Sequence, residues 1–443
     1  MASPTQFDPP SGTRDFLAPE LQVREAAFAA IRRVFDRYGF EPLQTPAFER
    51  LDVLTGKYGD EGDKLIFKIL RRGEHEASGE ADLALRYDLT VPLARVAAAY
   101  GNRLPTPYKR YAIAPVWRAD RPGRGRFREF YQCDLDVVGS ASPLADAETV
   151  CAVGDALAEL GVAGHRFLVN SRKALRGLLE AYGVPDELGG PVLITLDKLD
   201  KLAPDEVIAE LAGRGLAPGV AKALVDDLTA DDAVERMRRE LAASEAGRDG
   251  LAEVDQLLEL AGGQLGAERL TFTPSLVRGL DYYTGVIFEV TAPGVPGSIA
   301  SGGRYDGLVG GMGGSDVPAT GGSIGVERII PLLPTSGREA RGLDVAVTVM
   351  GEEQAAGAFR MAGALRAAGL RTAAYLGGSG KLGRQLKWAN DQSAAYALIY
   401  GPDEQATGEV TVRDMASGEQ TRVPEAELVA FLVSKLLARL SRS

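Results

Sequence analysis

Histidine and cysteine are scarce in this sequence. Its 443 residues include two histidines, His75 and His165, and two cysteines, Cys133 and Cys151. So few imidazoles argue against a catalytic triad or any other chemistry that needs a histidine base. The cysteines show no metal-ligand spacing, so no metal site built on cysteine or histidine is expected, and both thiols are predicted to be reduced core residues. The chemistry must therefore use arginine, carboxylates, tyrosine and glutamine.

Long apolar runs are also missing. No run approaches the length that spans a membrane, and residues 1–10 lack the basic and apolar regions of a signal peptide, which predicts a cytoplasmic protein. The composition is otherwise ordinary, with 45% hydrophobic and 25% charged residues, and a chain of this length is expected to form two to four domains. A net charge of −11 argues against a diffuse basic surface but permits a local basic face for RNA.

The most informative stretch is 108–139, which alternates as two strands around a turn rich in glycine and arginine. Pro115 cannot donate a ladder hydrogen bond, so the first strand is expected to be irregular there or to lie beside an edge. In the second strand the odd positions are mostly apolar and the even positions mostly polar. The even positions hold Arg126, Arg128, Phe130, Gln132, Asp134 and Asp136. One face is predicted to pack and the other to bind a charged ligand; the alternative is an ordinary solvated sheet face.

The chain before this hairpin predicts a helix, an edge strand and a possible ligand site. Pro19 to Arg37 has the period of an amphipathic helix with Leu21 on its buried side, and the two prolines within 38–46 favour an edge or interface strand. Asp88 and Thr90 end a further strand, two apart and so on one face, before a helix expected to begin near residue 92. Helix capping and ligand binding are equally good interpretations of this pair.

The region after the hairpin changes character. Residues 171–265 show helical spacing and little strand pattern, which predicts an inserted helical module. Alternating strands and helices near the C-terminus predict a small α/β domain. The predicted divisions are 1–170 and 266–333 for the two parts of a core, 171–265 for the insertion, 334–342 for a linker and 343–443 for the last domain.

Two dense polar runs and one glycine run lie in the second part of the core. The polar runs are LVRGLDYYTG at 276–285 and SGGRYDG at 301–307, and the glycines at 321–325 precede Glu327 and Arg328. These glycines are expected to permit close approach of the backbone to a ligand. Neither GxxxxGK[ST] nor GxGxxG after a strand is present, so a nucleotide would be bound in another way.

The C-terminal domain carries one basic stripe. Lys381, Arg384 and Lys387 are spaced by three on a predicted helix and so share a face. That face could hold a phosphate backbone, but the spacing alone favours a solvated basic stripe.

Together these motifs resemble the histidyl-tRNA synthetase family of class II aminoacyl-tRNA synthetases, over nearly the whole chain. Residues 39–49 look like the first class-defining motif, the hairpin like the second, and 321–330 like the third, with Arg328 as its motif arginine. LVRGLDYYTG and SGGRYDGLV resemble the histidine-specific motifs. The resemblance implies a multidomain α/β fold: an antiparallel-sheet catalytic core with helices, a helical insertion, and a mixed-sheet α/β anticodon-binding domain.

The resemblance also implies how ATP is bound. Arg118 and Arg328 match the clamps on the α- and γ-phosphates, and Arg126 matches a further phosphate contact. Asp120 matches the position against the adenine amino group, and Phe130 the residue that stacks on adenine. Mg²⁺ is implied as a companion of ATP, with no structural metal and no metal site made by protein groups alone.

The residues that match the histidine-binding positions are Asp88, Thr90, Gln132, Asp136, Arg278, Tyr282 and Tyr283. In the family, the first three positions bind the α-ammonium group, Asp136 and Tyr283 bracket the imidazole, and Tyr282 lines the same pocket. Arg278 matches the catalytic arginine on the histidine carboxylate and α-phosphate, so the implied catalytic set is Arg278, Arg118 and Arg328.

The implied function is ligation of histidine to its tRNA, through histidyl-adenylate and release of pyrophosphate, by a cytoplasmic homodimer. Expected tRNA contacts are Arg121 and Arg124 in the hairpin turn and Lys381, Arg384 and Lys387 in the last domain. One alternative is a non-charging paralogue that serves as a regulatory subunit of ATP phosphoribosyltransferase; another is a pseudo-synthetase that only binds RNA. Neither residues nor resemblance assign a role to 60–82, Arg128 or Asp134.

Overall fold

Two units make up the chain, Met1–Leu333 and Pro334–Ser443. The computed structural model describes residues 7–73, 78–123, 125–199, 202–277, 282–333, 342–378 and 380–440. Both units combine helices with sheets, so the predicted α/β multidomain class is confirmed. Within these ranges, no helix is long and apolar enough to cross a membrane.

The first unit is built on two sheets. Its strands are β1 (Glu41–Pro42), β2 (Phe48–Arg50), β3 (Lys68–Leu70), β4 (Ala81–Leu85), β5 (Tyr108–Trp117), β6 (Glu129–Val138), β7 (Arg166–Ser171), β8 (Leu270–Phe272), β9 (Val286–Thr291), β10 (Ala300–Arg304) and β11 (Ala319–Ile324). The larger sheet has the order β1-β5-β6-β11-β10-β9-β7-β8, and the smaller one β2-β4-β3. In the larger sheet, β1 with β5 and β7 with β8 are parallel and the other neighbours are antiparallel, as predicted for the core.

The predicted hairpin is β5 and β6, which pair along their whole length. Residues 38–46 contain the short edge strand β1, which pairs with Arg110 and Tyr111. The backbone N–H of Trp117 points away from β6 and donates to the carbonyl of Arg86. Pro115 lies two residues earlier in the same strand, so its backbone nitrogen faces the same side. The missing N–H of Pro115 therefore falls on the outer side of β5, beyond the end of β1, where no ladder hydrogen bond is lost.

Helices cover the sheets of the first unit. They are α1 (Ala18–Arg37), α2 (Leu51–Leu54), α3 (Gly59–Asp63), α4 (Thr90–Tyr100), α5 (Pro143–Glu159), α6 (Arg172–Ala181), α7 (Asp186–Leu196), α8 (Pro204–Gly213), α9 (Pro218–Thr229), α10 (Ala233–Leu241), α11 (Glu245–Leu265) and α12 (Val326–Ile329). The predicted first helix is confirmed, with Ile31 and Phe35 fully buried. Leu21 was wrongly placed on its buried side: it is 44% exposed, in the first turns of the helix.

Helices α6 to α11 occupy the segment predicted to be an inserted helical module. They do not form a core of their own. Leu175 of α6 and Val254 of α11 belong to the same buried cluster as Phe167 of β7 and Phe288 of β9. The sheet and the helical segment therefore share one hydrophobic core, and burial of these large side chains stabilises both.

The second unit is a single mixed sheet with helices. Its strands are β12 (Val345–Val347), β13 (Thr372–Ala374), β14 (Tyr396–Ile399), β15 (Glu409–Asp414) and β16 (Gln420–Pro424), and its helices are α13 (Glu352–Ala367), α14 (Leu382–Asp391), α15 (Pro402–Thr407) and α16 (Leu428–Leu440). The order is β13-β12-β14-β15-β16; β12 is parallel to both of its neighbours and the remaining pairs are antiparallel. The predicted mixed-sheet domain is confirmed, and α15 is an element that the sequence pattern did not indicate.

Candidate functional site

A cleft of about 580 Å³ lies against β6, β10 and β11 in the large sheet. The even-numbered side chains of β6 line it: Phe130, Gln132, Asp134 and Asp136. The last three are at most 9% exposed, so this face of the hairpin is not an ordinary solvated surface. Polar groups that are buried and gathered along one strand favour the ligand-binding interpretation.

Glycines make room for these charged side chains. A Cβ atom at Gly321 would lie 2.0 Å from Oδ1 of Asp136, and one at Gly302 would lie 2.2 Å from the Gly321 carbonyl oxygen. Any larger residue would therefore displace Asp136 or separate β10 from β11. The sequence suggested that the glycine run approaches a ligand; here the glycines admit a carboxylate and a neighbouring strand.

We call one part of the cleft and the groups behind it the buried end. It comprises Asp88, Arg110, Gln132, Asp134, Asp136 and Tyr305, each at most 9% exposed.

Arg110 and Tyr305 hold Asp136 at the buried end. The Arg110 guanidinium lies 2.8 Å from Oδ2 of Asp136, its register partner across the hairpin, and the Tyr305 hydroxyl donates to Oδ1. Arg110 also donates to the Leu89 carbonyl at 3.0 Å. Burial raises the pKa of Asp136, while Arg110 and the Tyr305 hydrogen bond oppose that rise. Sequence reasoning missed both partners, although the even position of Arg110 was a usable signal.

Asp88 caps the start of α4 and also lies in the cleft, so its position is compatible with both roles that the sequence left open. It accepts hydrogen bonds from the Val91 backbone N–H and the Tyr58 hydroxyl, both at 3.0 Å, and it lines the cleft with Thr90. The predicted strand position of this pair was wrong, because β4 ends at Leu85 and α4 already begins at Thr90. Burial raises the pKa of Asp88 above its ordinary value.

Gln132 and Asp134 meet at a serine on the neighbouring strand. The Gln132 amide donates to the Ser323 hydroxyl at 2.9 Å, and Ser323 hydrogen bonds to Asp134. Oε1 of Gln132 and Oδ1 of Asp134 are buried, and no described residue donates a hydrogen bond to either atom. Burial raises the pKa of Asp134 to about 7, and Asp136 adds to the rise while Arg110 opposes it. Two unpaired buried acceptors side by side favour a ligand that brings hydrogen-bond donors.

Aromatic rings form a wall beside these acceptors. Tyr282 and Tyr283 both line the cleft, and their ring centroids lie 5.0 Å apart in an edge-to-face arrangement with 62° between the planes. Tyr282 also meets the Tyr305 ring edge-on at 5.8 Å. Burial raises the pKa of Tyr282 well above its ordinary value, so its hydroxyl stays protonated and can donate.

We call the other part of the cleft the open end; it comprises Arg118, Asp120, Arg126, Phe130 and Arg328.

Two arginines of the open end are positioned by the hairpin. The Arg118 guanidinium lies 5.2 Å from the Phe130 ring centroid and donates to the Tyr87 carbonyl at 3.1 Å. Arg126 is 63% exposed and lies 2.7 Å from Asp120, a carboxylate that is largely buried. Such an exposed pair contributes little stability, so Arg126 is available to another anion at little cost.

Arg328 enters the open end from α12, whose first turn also carries Glu327. Arg328 donates to the Ser298 carbonyl at 2.6 Å. Glu327 accepts two hydrogen bonds from Arg24 at 2.8 Å and one from Arg14 at 2.6 Å. Burial would raise the pKa of Glu327, but these two arginines hold it below its ordinary value. The pairs fix the turn that presents Arg328, and sequence reasoning missed both of them.

The remaining predicted residues lie elsewhere. Arg278 and Arg124 fall outside the described residues. Arg121 is exposed in the turn, and the Lys381, Arg384 and Lys387 stripe is exposed along α14 of the second unit. In the described part of the chain, no group of acidic, histidine or cysteine side chains could hold a metal ion.

The helical segment also reaches the cleft. Asp197, at the C-terminal end of α7, lines it although the sequence indicated no site residue in 171–265.

Known proteins share both units. The family described as histidyl-tRNA synthetase matches residues 12–329, and the anticodon binding domain family matches 344–435. A histidine–tRNA ligase of Gloeobacter violaceus is 41% identical across 96% of this chain and 98% of its own, and that of Paracoccus denitrificans is 41% identical across 95% and 96%.

Solved structures agree with these matches. The histidyl-tRNA synthetase of Nostoc sp. PCC 7120 superposes with a TM-score of 0.76 at 30% identity, covering 98% of this chain and 100% of that chain. The S. aureus histidyl-tRNA synthetase, at 22% identity, shares the fold with a TM-score of 0.69. These matches and the cleft together establish that the chain belongs to the histidyl-tRNA synthetases, class II aminoacyl-tRNA synthetases.

Proposed function

We propose that the protein is a histidine–tRNA ligase whose cleft binds histidine at the buried end and ATP at the open end. One observation carries this proposal: residues from separate stretches of the chain converge on a single cleft with acceptors at one end and arginines at the other. This division suits a zwitterionic amino acid and a nucleoside triphosphate, because an ammonium group is stabilised by hydrogen-bond acceptors and phosphates are stabilised by fixed positive charge.

The buried end suits histidine. Asp88, Thr90 and Gln132 would accept hydrogen bonds from the α-ammonium group, while Asp136 and Tyr283 would bracket the imidazole nitrogens. The Arg110 and Tyr305 contacts hold Asp136 in place before the substrate arrives, so little reorganisation is needed on binding. A site that pairs its buried polar groups with both imidazole nitrogens discriminates against amino acids of similar size that lack them.

The open end suits ATP. Phe130 would stack on adenine and Asp120 would accept from its amino group. Arg118, Arg126 and Arg328 would bind the phosphates, with Arg126 exchanging the Asp120 carboxylate for a phosphate oxygen. ATP enters as its Mg²⁺ complex, and the ion neutralises phosphate charge.

The reaction needs no protein nucleophile. The histidine carboxylate attacks the α-phosphorus in line, the bond to the bridging oxygen breaks, and pyrophosphate leaves histidyl-adenylate behind. The arginines hold the reacting groups in line and stabilise the charge that builds on the phosphoryl oxygens. By the family resemblance, Arg278 acts between the carboxylate and the α-phosphate. This scheme accounts for a sequence that contains only two histidines.

In the second step, the terminal ribose hydroxyl of tRNA attacks the acyl carbon of the adenylate, and AMP leaves. The second unit, with its exposed Lys381, Arg384 and Lys387, would bind the anticodon arm, and the hairpin turn with Arg121 and Arg124 the acceptor end. We further propose a cytoplasmic homodimer with the division into two core parts, helical insertion, linker and anticodon domain described above. The non-charging paralogue is disfavoured, because the anticodon-domain match is retained and the relatives are named ligases.

Histidine-dependent exchange between ATP and labelled pyrophosphate tests this function. Purified protein with Mg²⁺ and each of the twenty amino acids in turn should show exchange with histidine alone. A protein that binds ATP but shows no exchange with histidine would contradict the ligase assignment.

A further inference from the structure

Asp134 is a buried carboxylate in the cleft to which the family resemblance assigns no role. It occupies the middle of the β6 cleft face, between Gln132 and Asp136, and it is 2% exposed. Asp134 and Gln132 both line the cleft, and Oδ1 of Asp134 and Oε1 of Gln132 are buried with no hydrogen-bond partner among the described residues. An unpaired buried carboxylate oxygen is costly in a folded protein, so a binding role is the natural explanation.

Three carboxylates meet around Asp134, and only one of them is in an ion pair within the described site. Asp88, Asp134 and Asp136 are all buried; Arg110 is paired with Asp136, while Arg118 acts on Asp88 and Arg86 on Asp134 without an ion-pair contact. Asp134 has no ion-pair partner in the described part of the chain, and its contact from Ser323 is a neutral hydroxyl. A bound cation would complete the set.

The position of Ser323 indicates which part of the substrate supplies that cation. Its hydroxyl accepts from Gln132 and hydrogen bonds to Asp134, so Ser323 links these two side chains. Asp136 is already engaged by Arg110 and Tyr305 at the position proposed for the imidazole. An ammonium group has three donors and no acceptor, which matches free oxygens on neighbouring side chains.

We infer that Asp134 accepts a hydrogen bond from the α-ammonium group of histidine beside Oε1 of Gln132. This inference rests on the proposed ligase function, adds a second carboxylate to the ammonium site and predicts that histidine binding depends on pH.

The proton linkage follows from the surroundings of Asp134. The charged groups that face it are Arg110 on β5, Asp136 on β6, Asp88 before α4 and Arg86 directly after β4. Burial raises its pKa to about 7, so in the free site Asp134 becomes protonated as the pH falls through 7. A protonated Asp134 cannot ion-pair with an ammonium group, so histidine binds more weakly as the pH falls.

Asp134→Asn tests the contact while keeping the shape of the side chain. In pyrophosphate exchange, we expect the KM for histidine to rise about 10- to 100-fold, with the KM for ATP unchanged. Asp226→Asn, on the exposed face of α9, is the matched control and should change neither constant. The ratio of wild-type to Asp134→Asn kcat/KM for histidine should fall as the pH drops below 7; the imidazole of the substrate titrates identically in both enzymes and cancels.

Two histidine analogues decide which group Asp134 contacts. Histidinol keeps the ammonium group, and 3-(imidazol-4-yl)propionate lacks it. Asp134→Asn should weaken inhibition by histidinol and leave inhibition by the propionate unchanged; equal weakening of both would assign Asp134 to the imidazole and overturn the inference.

A measurement on the wild-type protein covers the case in which Asp134→Asn fails to fold. Calorimetry at pH 7 in buffers of different ionisation enthalpy should show more protons released by histidinol than by the propionate. Equal release would contradict the inference. If wild-type exchange depends on histidine but the Asp134→Asn KM is normal, the inference fails and the ligase function stands; absence of wild-type exchange removes both.

Discussion

The two ends of the cleft use charge in different ways. At the buried end, Arg110 is 0% exposed and is locked between Asp136 and the Leu89 carbonyl. At the open end, Arg126 is 63% exposed and has one carboxylate partner, Asp120, in the described chain. Burying charge costs solvation, which the protein recovers through fixed pairs, whereas an exposed charge stays free to bind a mobile ligand. The buried end should therefore couple binding to stability, and the open end should affect catalysis with little effect on stability.

The largest effect is expected from Arg110→Met. Removal of the guanidinium leaves Asp136 as a buried, unpaired charge and should lower the free energy of unfolding of the first unit by about 3–5 kcal/mol. Urea denaturation followed by fluorescence measures this. Arg126→Met, the matched change at the open end, should cost less than about 1 kcal/mol. Similar losses in the two variants would contradict the contrast between the ends.

Arg118→Gln should produce the reverse pattern. Loss of a fixed positive charge beside the proposed α-phosphate should lower kcat for pyrophosphate exchange about 10²- to 10³-fold, while the melting temperature changes little. Single-turnover adenylate formation measures the chemical step directly. A variant that raises only the KM for ATP would show that Arg118 binds ground state and transition state equally well.

The pH dependence of stability gives a smaller and more specific signature of the buried end. Because the folded pKa of Asp134 is raised to about 7, its stabilising effect is full below its unfolded pKa and is lost as the pH rises through 7. Asp134→Asn cannot ionise and escapes this loss. Without ligand it should melt roughly 2–4 °C above wild type at pH 8, with the difference shrinking toward pH 5. A difference that is constant with pH would argue against titration of Asp134.

The smallest effect is expected outside the cleft. Replacement of Lys381, Arg384 and Lys387 by alanine should leave pyrophosphate exchange unchanged and raise the KM for tRNA several-fold. The salt dependence of tRNA binding should flatten by about one unit of slope for each phosphate group that the variant no longer neutralises. Unchanged aminoacylation kinetics at low salt would favour the solvated-stripe interpretation.

The sequence predicts the site residues that lie along a single strand better than the contacts that form only when separate elements come together. Alternation along β6 correctly placed Phe130, Gln132 and Asp136 on one face, because the period of a strand fixes side-chain direction. The same alternation along β5 could have placed Arg110 opposite Asp136. Tyr305 was not, because its contact with Asp136 depends on the folded positions of β6 and β10.

Junctions and long-range pairs were the least predictable features. The sequence predicted that α4 begins near Pro92, because proline is common in the first turn of a helix. The helix begins two residues earlier, at Thr90. The ion pairs from Arg14 and Arg24 to Glu327 join residues about three hundred positions apart. No local pattern encodes such a partner, so the support behind Arg328 emerges only from the three-dimensional arrangement.

The division of the cleft between two substrates is tested most directly by the KM values for histidine and ATP in Gln132→Ala and Arg328→Ala. The account predicts a raised KM for histidine alone in the first variant. In the second, it predicts an effect on ATP, through KM or kcat, with the KM for histidine unchanged. Variants that each disturb both substrates equally would contradict a cleft divided into a buried end for the amino acid and an open end for the nucleotide.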